Sequence, residues 1–270
     1  MSVHATAGRV TIPQLQKRAR EGEKLVMLTC YDASFAAVCD EAGVDMLLIG
    51  DSLGNVIQGM DHTLAVTIEE TEYHTRAVAR GSSRGLVIAD MPFGSFQESP
   101  AQAFRNAARL LGAGAQMVKI EAGGHMVETV RFLVERGVPV CAHVGLTPQS
   151  VHSLGGHRVQ GRSDEAADRL VADSKALAEA GAGIVLLEAV PNAVGKRVTD
   201  AVGVPTIGIG AGPDCSGQVL VLYDILDIFP GKKARFVKNF MAGRASVKDA
   251  IAAYVRAVKD KSYPAPEHCF

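Results

Sequence analysis

Eight short apolar runs recur along the chain, and each predicts a β-strand. Their residues are mostly aliphatic, and the runs are continuous rather than alternating with polar positions. Continuous runs are expected where both faces of a parallel sheet are covered. The predicted strands span residues 25–32, 46–51, 86–91, 116–121, 139–145, 183–189, 205–212 and 218–224.

Most segments between these runs have the apolar periodicity of amphipathic helices. Several of them end in glycine directly before the next strand, a common signal for the C-terminus of a helix. Ser99 and Ser163 are predicted N-caps. The clearest predicted helices span residues 34–43, 67–81, 99–114, 125–137, 163–183 and 245–261, and an N-terminal helix is predicted from Thr11.

Strands and helices alternate along the whole chain, which predicts an α/β protein with a (β/α)8 barrel. The competing fold is a doubly wound open sheet, whose glycine-rich turn follows the first strand. Here the glycine-rich run at 208–212 follows the seventh strand instead. That run is either a phosphate cradle of the barrel or a tight turn that packs a helix closely. No linker or repeat interrupts the pattern, so residues 1–270 are predicted to form a single barrel domain.

Charge and composition exclude several classes of protein. The chain has 28 Lys and Arg against 29 Asp and Glu, for a net charge of -1, which argues against a nucleic-acid partner. No apolar stretch approaches the ~18–20 residues of a membrane-spanning helix, and the first residues lack the apolar centre of a secretory signal. The 5 cysteines include no C-x-x-C pair. These features predict a reduced, cytoplasmic protein with no membrane partner.

Acidic residues stand at the ends of four predicted strands, where the active site of a barrel lies. They are Asp51, Asp90, Glu121 and Glu188, on strands 2, 3, 4 and 6. Carboxylates gathered at one opening repel each other unless cations or protons compensate. The first three come from adjacent strands and suit Mg²⁺, which prefers oxygen ligands. Glu188 lies across the opening, where it is free to act as a base.

Other residues near these strand ends allow more than one interpretation. Lys119 lies on the same side of its strand as Glu121, so it can bind a substrate carboxylate, stabilise an oxyanion, or form a structural ion pair with Glu121. Asp51 and Asp90, each taken alone, can instead cap the helix that follows. His143 lies inside the fifth strand and is by default a hydrogen-bonded core residue, with a functional role as the alternative.

Two segments that follow strands are longer than the ~2–6 residues usual for such connections. They are residues 52–67 after the second strand and residues 146–162 after the fifth. His152 and His157 of the second segment are interpreted as solvated. Long connections at this end of a barrel often cover the ligand, so both are predicted to close over the site.

With these residues in place, the chain resembles the ketopantoate hydroxymethyltransferase family. The resemblance runs in order from about Tyr31 to about Phe240, which is nearly the whole predicted barrel. The segments that carry it include MLLIGDSLGNVIQG, DHTLAVTIEETEYHTRAVARG, VIADMPFGSF, AGAQMVKIEAG, VPVCAHVGLTPQSVHSLGGHRVQGR, LLEAVP and VPTIGIGAGPDCSGQVLV.

The resemblance implies a fold, a reaction and a set of site residues. The fold is a (β/α)8 barrel of the phosphoenolpyruvate/pyruvate type, and the assembly is a homodecamer. The reaction is Mg²⁺-dependent transfer of a hydroxymethyl group from 5,10-methylenetetrahydrofolate to 3-methyl-2-oxobutanoate, giving 2-dehydropantoate for pantothenate biosynthesis. The family's site residues fall on Asp51, Ser52, Asp90, Lys119, Glu121 and Glu188.

Both lines of argument lead to one mechanistic hypothesis. Asp51 and Asp90, with Glu121 directly or through water, hold Mg²⁺, which polarises the 2-oxo group of the substrate. Glu188 removes the C3 proton, and the resulting Mg-bound enolate attacks the methylene carbon of the folate. Lys119 and Ser52 orient the substrate carboxylate, and a hydrogen bond from His143 to that carboxylate is a further expectation.

Three rival functions are open to the same residues. A metal-dependent lyase that cleaves a 2-oxo acid shares the ring of carboxylates, and only the two segments LTPQSVHSLGGHRVQGR and LLEAVP favour the transferase. A Schiff-base aldolase with Lys119 as the nucleophile is disfavoured, because neighbouring carboxylates stabilise the ammonium form. A non-catalytic scaffold is disfavoured, because it gains nothing from the repulsion between carboxylates.

Overall fold

The computed structural model describes residues 8–270, and its sheet is a closed barrel of eight parallel strands. The strands follow one another around the barrel in chain order, and the eighth pairs with the first. The barrel prediction is confirmed and the open-sheet alternative is wrong. The strands are β1 Leu25–Thr29, β2 Met46–Ile49, β3 Leu86–Asp90, β4 Met117–Glu121, β5 Val140–Gly145, β6 Ile184–Glu188, β7 Thr206–Ile209 and β8 Gly217–Leu220.

The eight strands are buried on both of their faces, as their continuous apolar runs predict. The two residues that are only partly buried are Gly145 and Glu188, at the C-terminal ends of β5 and β6. Helices around the barrel cover its outer face, and side chains fill its interior. The burial pattern therefore leaves the C-terminal ends of the strands as the part of the sheet that is open to a ligand.

Every helix that the periodicity predicts is present. The helices are α1 Ile12–Arg20, α2 Ala33–Ala42, α3 Leu53–Val56, α4 Ile68–Gly81, α5 Pro100–Gly112, α6 Val127–Glu135, α7 Val151–Leu154, α8 Asp164–Glu179, α9 Asn192–Ala201, α10 Leu222–Ile225 and α11 Val247–Lys259. The predicted caps also form, because Ser99 Oγ accepts a bond from the Gln102 N–H and Ser163 Oγ accepts one from the Ala166 N–H.

The N-terminal helix α1 lies at the N-terminal end of the barrel, opposite the strand ends that carry the acidic residues. Thr11 begins it with a capping box, in which the Thr11 and Gln14 side chains each accept a bond from the other's backbone N–H. Arg18 of this helix binds Glu23 and the buried Asp45, and Lys259 at the end of α11 binds the same two carboxylates. This ion-pair network joins both ends of the chain below the barrel.

One detail of the predicted pattern is wrong. The eighth strand ends at Leu220, and residues 222–224 of the predicted strand belong to α10, Leu222–Ile225. A short apolar run cannot by itself distinguish a buried strand from a buried helix. Residues 192–201, which are not among the clearest predicted helices, form α9. Glycine and β-branched residues give this segment a low helix propensity, so its packing against the barrel decides its structure.

The glycine-rich run after β7 is a tight turn that packs closely against its neighbours. Gly210 has a φ of 61°, and a Cβ atom there would lie 2.5 Å from the ring of Phe236. A Cβ atom on Gly195 of α9 would lie 2.1 Å from the carbonyl oxygen of Ala211. Of the two interpretations of the run at 208–212, the tight turn that packs a helix closely therefore describes how it contacts α9.

The two long segments after β2 and β5 each contain a short helix, α3 and α7 respectively. All 5 cysteines are buried and free. No helix within residues 8–270 is long and apolar enough to cross a membrane.

Candidate active site

The C-terminal ends of the strands open into a cavity of about 1070 Å³. Asp90, Glu121 and Glu188 are the last residues of β3, β4 and β6, and Asp51 follows β2. The structure brings all four carboxylates to this cavity. The remaining residues that the sequence analysis singled out for the site, Ser52, Lys119 and His143, also line it.

The register of the barrel explains how the cavity floor is built. Asp90 of β3 is paired in register with Lys119 of β4, and Glu121 of β4 is paired with His143 of β5. The side chains of residues paired in register on neighbouring strands point to the same side of the sheet. Lys119 and Glu121 are two residues apart on β4, so all four side chains face the barrel interior together.

Lys119 forms its ion pair with Asp90 rather than with Glu121. Its Nζ atom lies 2.5 Å from Asp90 Oδ2, and both side chains are buried. Burial alone lowers the pKa of a lysine, but the carboxylates of Asp90, Asp51 and Glu121 outweigh it and raise the pKa of Lys119 above its ordinary value. The side chain is therefore a permanent ammonium ion at the floor of the cavity.

Burial raises the pKa values of three of the carboxyl groups. It raises the pKa of Asp90 to about 7, against the opposing effect of Lys119, and the negative charge of Asp51 adds to the rise. The pKa of Glu121 is raised well above its usual value for the same reasons. At the opposite side of the cavity, burial raises the pKa of Glu188 to about 7, and Lys119 again opposes the rise. Perturbed carboxyl groups gathered in one cavity are typical of functional sites.

His143 lies between Glu121 and Glu188. Its Nε2 atom is 3.3 Å from Glu188 Oε2, and its Nδ1 atom is 3.8 Å from Glu121 Oε1. The first approach lacks the alignment of a hydrogen bond and the second is too long for one, so both ring nitrogens are buried without a partner. Burial, together with the charge of Lys119, lowers the pKa of His143 well below its usual value. The core interpretation of a hydrogen-bonded histidine does not describe this residue, whose neutral ring is available to a ligand.

Asp51 and Asp90 do not cap the helices that follow them. The Asp51 side chain accepts a bond from Gln149 Nε2 at 3.0 Å, and its backbone N–H donates to Asp90 Oδ2 at 3.3 Å. Ser52, the residue before α3, makes no side-chain cap either. Its hydroxyl lies 2.8 Å from the hydroxyl of the buried Tyr31. The acidic residues are thus oriented toward one another across the strand ends, as a binding site requires.

Gln149 is a residue of the site that the sequence analysis missed. Besides its bond to Asp51, its Nε2 atom donates to the carbonyl oxygen of Met91 at 3.0 Å, and its backbone N–H donates to Glu121 Oε2 at 2.9 Å. It therefore connects carboxylates that come from β2 and β4. Gln149 is uncharged and lies in the long segment after β5, so only a predicted contact between that segment and the strand ends could have identified it.

The donor atoms at the floor suit a hard cation. Within residues 8–270, no group of three or more histidine, cysteine, aspartate or glutamate side chains is close enough to hold a metal by itself. Mg²⁺ needs only one or two protein carboxylates, because water and substrate oxygens complete its octahedron. Asp90 Oδ1 and Glu121 Oε1 are buried without a hydrogen-bond partner. Oxygen atoms of this kind are suited to ligate a cation.

Both long segments reach the opening of the cavity. His62 from the first and His157 from the second line it, and His152 contacts His62 with ring centroids 6.4 Å apart. His157 is exposed, and from the side of the opening it opposes the rise in the pKa of Glu188. Both segments thus lie where they were predicted to lie, over the strand ends.

Comparison with known proteins gives one consistent family. A family model described as ketopantoate hydroxymethyltransferase matches residues 9–266. A relative named 3-methyl-2-oxobutanoate hydroxymethyltransferase from Azoarcus sp. (strain BH72) is 66% identical over 97% of each chain. One with the same name from Dechloromonas aromatica (strain RCB) is 60% identical over 100% of this chain and 99% of its own.

Solved structures with much lower identity share the fold. The 2,3-dimethylmalate lyase of the PEP mutase/isocitrate lyase superfamily is 17% identical, with a TM-score of 0.56 over 94% of this chain and 89% of its own. A phosphonopyruvate hydrolase, solved in complex with oxalate and Mg²⁺, is 16% identical, with a TM-score of 0.60 over 93% of this chain and 99% of its own. These likenesses show that the (β/α)8 barrel fold of this chain is shared by proteins of very different sequence.

Proposed function

The chain belongs to the ketopantoate hydroxymethyltransferase family, and from this premise we propose that it transfers a hydroxymethyl group from 5,10-methylenetetrahydrofolate to 3-methyl-2-oxobutanoate. The observation that carries the proposal is the set of buried, unpartnered polar atoms at the cavity floor. Asp90 Oδ1, Glu121 Oε1 and both nitrogens of His143 lack partners, beside the ammonium ion of Lys119. The two carboxylate oxygens suit a cation, and the His143 ring and the Lys119 ammonium suit the oxygen atoms of a small anionic ligand, since buried polar groups require partners.

Asp51 and Asp90, together with Glu121 directly or through water, are the residues that would hold Mg²⁺. Bound there, the cation supplies Lewis-acid polarisation of the 2-oxo group, which makes the C3 proton of the keto acid more acidic. Lys119 offsets part of the carboxylate charge, so the floor can accept an anionic substrate. Gln149 orients both carboxylates by donating hydrogen bonds to them. Its side-chain amide donates to Asp51, and its backbone N–H donates to Glu121.

Glu188 is the proposed base that removes the C3 proton. The His143 ring lies between it and Glu121, and Glu188 keeps 16% of its side chain exposed. A pKa of about 7 lets it accept a proton near neutral pH and return it later. Only the carboxylate form accepts a proton, so the rate of this step is expected to fall as the pH drops through about 7.

Lys119, Ser52 and His143 are proposed to bind the substrate carboxylate. The Lys119 ammonium supplies the charge, and the Ser52 hydroxyl, positioned by Tyr31, supplies a hydrogen bond. His143 is neutral, so it can donate from one ring nitrogen without adding a charge. Held in this way, the substrate presents its C3 atom toward Glu188.

The carbanion that deprotonation creates at C3 attacks the methylene carbon of the folate. Two bonds join that carbon to folate nitrogens: one breaks as the new C–C bond forms, and the other breaks as the hydroxyl group of a water molecule bonds to the carbon. The C3 proton and the remaining water proton end on the two nitrogens, which releases tetrahydrofolate. The co-substrate delivers CH₂ and the product carries CH₂OH, so atom balance requires one water molecule. The Schiff-base alternative is disfavoured further, because the ion pair with Asp90 keeps Lys119 protonated and therefore not nucleophilic.

We also propose that the protein is cytoplasmic and assembles as a homodecamer. Five free, buried cysteines support a reducing compartment. Exposed large apolar side chains, which are candidates for subunit contacts, support an oligomer; they are Ile57, Tyr73, Phe93 and Ile228. Light scattering coupled to size-exclusion chromatography gives the assembly size directly.

The proposed function is tested by product formation from both substrates with Mg²⁺. We expect 2-dehydropantoate and tetrahydrofolate in equal amounts from the parent protein, measured by mass spectrometry. Glu188→Gln keeps the shape of the side chain but removes its basicity, so turnover should fall by about 10²–10⁴-fold. Binding of the keto acid with Mg²⁺ should persist in this variant. Normal turnover by Glu188→Gln would exclude Glu188 as the base, and absence of product from the parent would exclude the reaction.

A further inference from the structure

The cavity is much larger than a small keto acid requires. Its volume of about 1070 Å³ is at the upper end of the ~300–1,000 Å³ that is usual for pockets binding drug-sized ligands. The keto acid site described above uses only the floor, around Lys119. The outer part of the cavity is therefore available to a second and larger ligand.

Charge is distributed unevenly between the floor and the outer part. Four carboxylates and one ammonium ion occupy the floor, whereas cationic side chains dominate the outer lining. We call this outer group the basic rim; it consists of Arg158, Arg162, Lys232, Lys233 and Arg235. One outer carboxyl group, Asp224, faces the same space, and burial raises its pKa to about 6 against the charge of Lys233. The rim thus has a net positive charge around the opening.

Three members of the basic rim are free to bind a ligand. Within residues 8–270, Arg158, Arg162 and Lys232 are exposed and form no ion pair. The other two are already engaged: Lys233 pairs with Asp227, and Arg235 donates to the carbonyl oxygen of Glu267. The rim therefore offers cations from two separate segments, the one after β5 and the one after α10.

Aromatic side chains form the wall between the rim and the floor. Phe229, Phe236 and Phe270 line this part of the cavity, and the rings of the last two are in edge contact with centroids 6.5 Å apart. Arg235 lies 5.8 Å from the centre of the Phe270 ring. An aromatic wall followed by exposed cations matches a ligand that has a flat ring system at one end and carboxylates at the other.

We propose that the basic rim binds the glutamate tail of the folate co-substrate, with Arg158, Arg162 and Lys232 pairing with its carboxylates, and that the protein accordingly prefers folates with several glutamates. This inference rests on the proposed function, which supplies the co-substrate. The ring system of the folate lies against the aromatic wall, so its methylene carbon reaches the keto acid at the floor. Each added glutamate brings another carboxylate to the rim.

The strength of this preference follows from the exposure of the rim. An exposed ion pair changes a dissociation constant by about two- to five-fold, and salt screens it. Two or three such contacts give the triglutamate form of tetrahydrofolate a dissociation constant roughly 10-fold lower than that of the monoglutamate form. The difference should shrink at high ionic strength.

The test compares the dissociation constants of tetrahydrofolate monoglutamate and triglutamate, measured by isothermal titration calorimetry. The dissociation constant of the keto acid, measured for each variant, serves as the reference for an intact cavity floor. The double variant Arg158→Glu, Lys232→Glu should lose the preference for the triglutamate, and the pair Arg158→Lys, Lys232→Arg should retain it. The control is Lys248→Glu on α11, which reverses a single positive charge at a residue that pairs with Glu41 and does not line the cavity.

Three outcomes overturn this proposal alone, and a fourth overturns the proposed function together with it. Equal affinity of the parent for both folates would contradict it, and so would a preference that persists in the charge-reversed variant or one that Lys248→Glu also abolishes. If the parent binds no tetrahydrofolate but still exchanges the C3 proton of the keto acid, the folate assignment itself fails, and this inference fails with it. The first three results leave the proposed reaction in place. A failure of the glutamate-tail inference is therefore distinguishable from a failure of the proposed function.

Discussion

At the scale of single residues, the candidate site depends on groups that burial keeps away from water. Asp90 and Lys119 form a buried pair, and Gln149 holds the carboxylates of Asp51 and Glu121. The acidic residues were predictable from the sequence, because each stands at the end of an apolar run. Gln149 was not predictable, since an uncharged residue in a long segment has no signal of its own.

Replacing Gln149 with leucine is expected to weaken cation binding. The change removes the hydrogen bonds from its side chain to Asp51 and Met91 but keeps the volume similar. Loss of a group that orients metal ligands usually reduces metal affinity by about 10–100-fold. The dissociation constant of Mn²⁺, measured by electron paramagnetic resonance, should rise by that factor.

A matched control is Gln218→Leu in β8. Gln218 is also buried, but its side chain donates to the carbonyl oxygen of Gly212 and to no carboxylate. This variant should lose stability and keep its affinity for Mn²⁺. Unchanged Mn²⁺ affinity in Gln149→Leu would show that Gln149 has only a structural role.

At the scale of elements, the sequence pattern identifies the strands because burial on both faces leaves continuous apolar runs. It fails where packing overrides local preference, as in α9, and where an apolar run turns from strand to helix, as after Leu220. The length of the two long segments predicted that they lie over the cavity, but their individual contacts were unpredictable, because these depend on distant parts of the chain. Gly195 shows such a contact, since its hydrogen atom faces the Ala211 carbonyl oxygen where no larger group fits.

Gly195→Ala is therefore expected to destabilise the protein although alanine favours helices. The added methyl group would meet the Ala211 oxygen at 2.1 Å, so α9 must shift away from the turn after β7. Overpacking of this kind costs about 1–3 kcal/mol. Urea unfolding followed by circular dichroism measures the loss.

Gly112→Ala in α5 serves as the comparison. A Cβ atom there has no neighbour within 4 Å, so this change should stabilise the protein by roughly 0.5–1 kcal/mol. Equal effects of the two substitutions would mean that the contact between α9 and Ala211 does not constrain the fold.

At the scale of the whole molecule, the candidate site and the ion-pair network lie at opposite ends of the barrel. The C-terminal ends of the strands carry the candidate site, and the N-terminal end carries the ion pairs that join α1 to α11. Asp45 is the buried centre of that network, and Glu23 is its exposed member, with the Lys259 ammonium at 2.6 Å. The network can therefore be weakened without touching the site.

The network is expected to make stability depend on acid pH. Hydrogen bonds from Arg18, assisted by Lys259, lower the pKa of Glu23 to about 2 in the folded protein. A lowered folded-state pKa contributes stability above the ordinary pKa, and that contribution is lost as the pH falls toward 2. Glu23→Gln should lower the Tm at pH 7, and the difference from the parent should narrow below pH 4.5.

Glu98→Gln is the control, because within residues 8–270 the Glu98 side chain forms no ion pair. Its Tm should follow that of the parent across the same pH range, measured by differential scanning calorimetry. A Tm difference for Glu23→Gln that stays constant down to pH 2 would contradict the assignment of this network.

The central claim is that Glu188 removes the C3 proton of 3-methyl-2-oxobutanoate, and that a cation bound at the cavity floor assists this step. The most direct measurement is exchange of that proton for deuterium in D₂O, followed by NMR without any folate. Exchange should occur with Mg²⁺ and stop with EDTA, and Glu188→Gln should abolish it. Exchange that is unaffected by EDTA, or no exchange by the folded parent protein with Mg²⁺, would contradict the account.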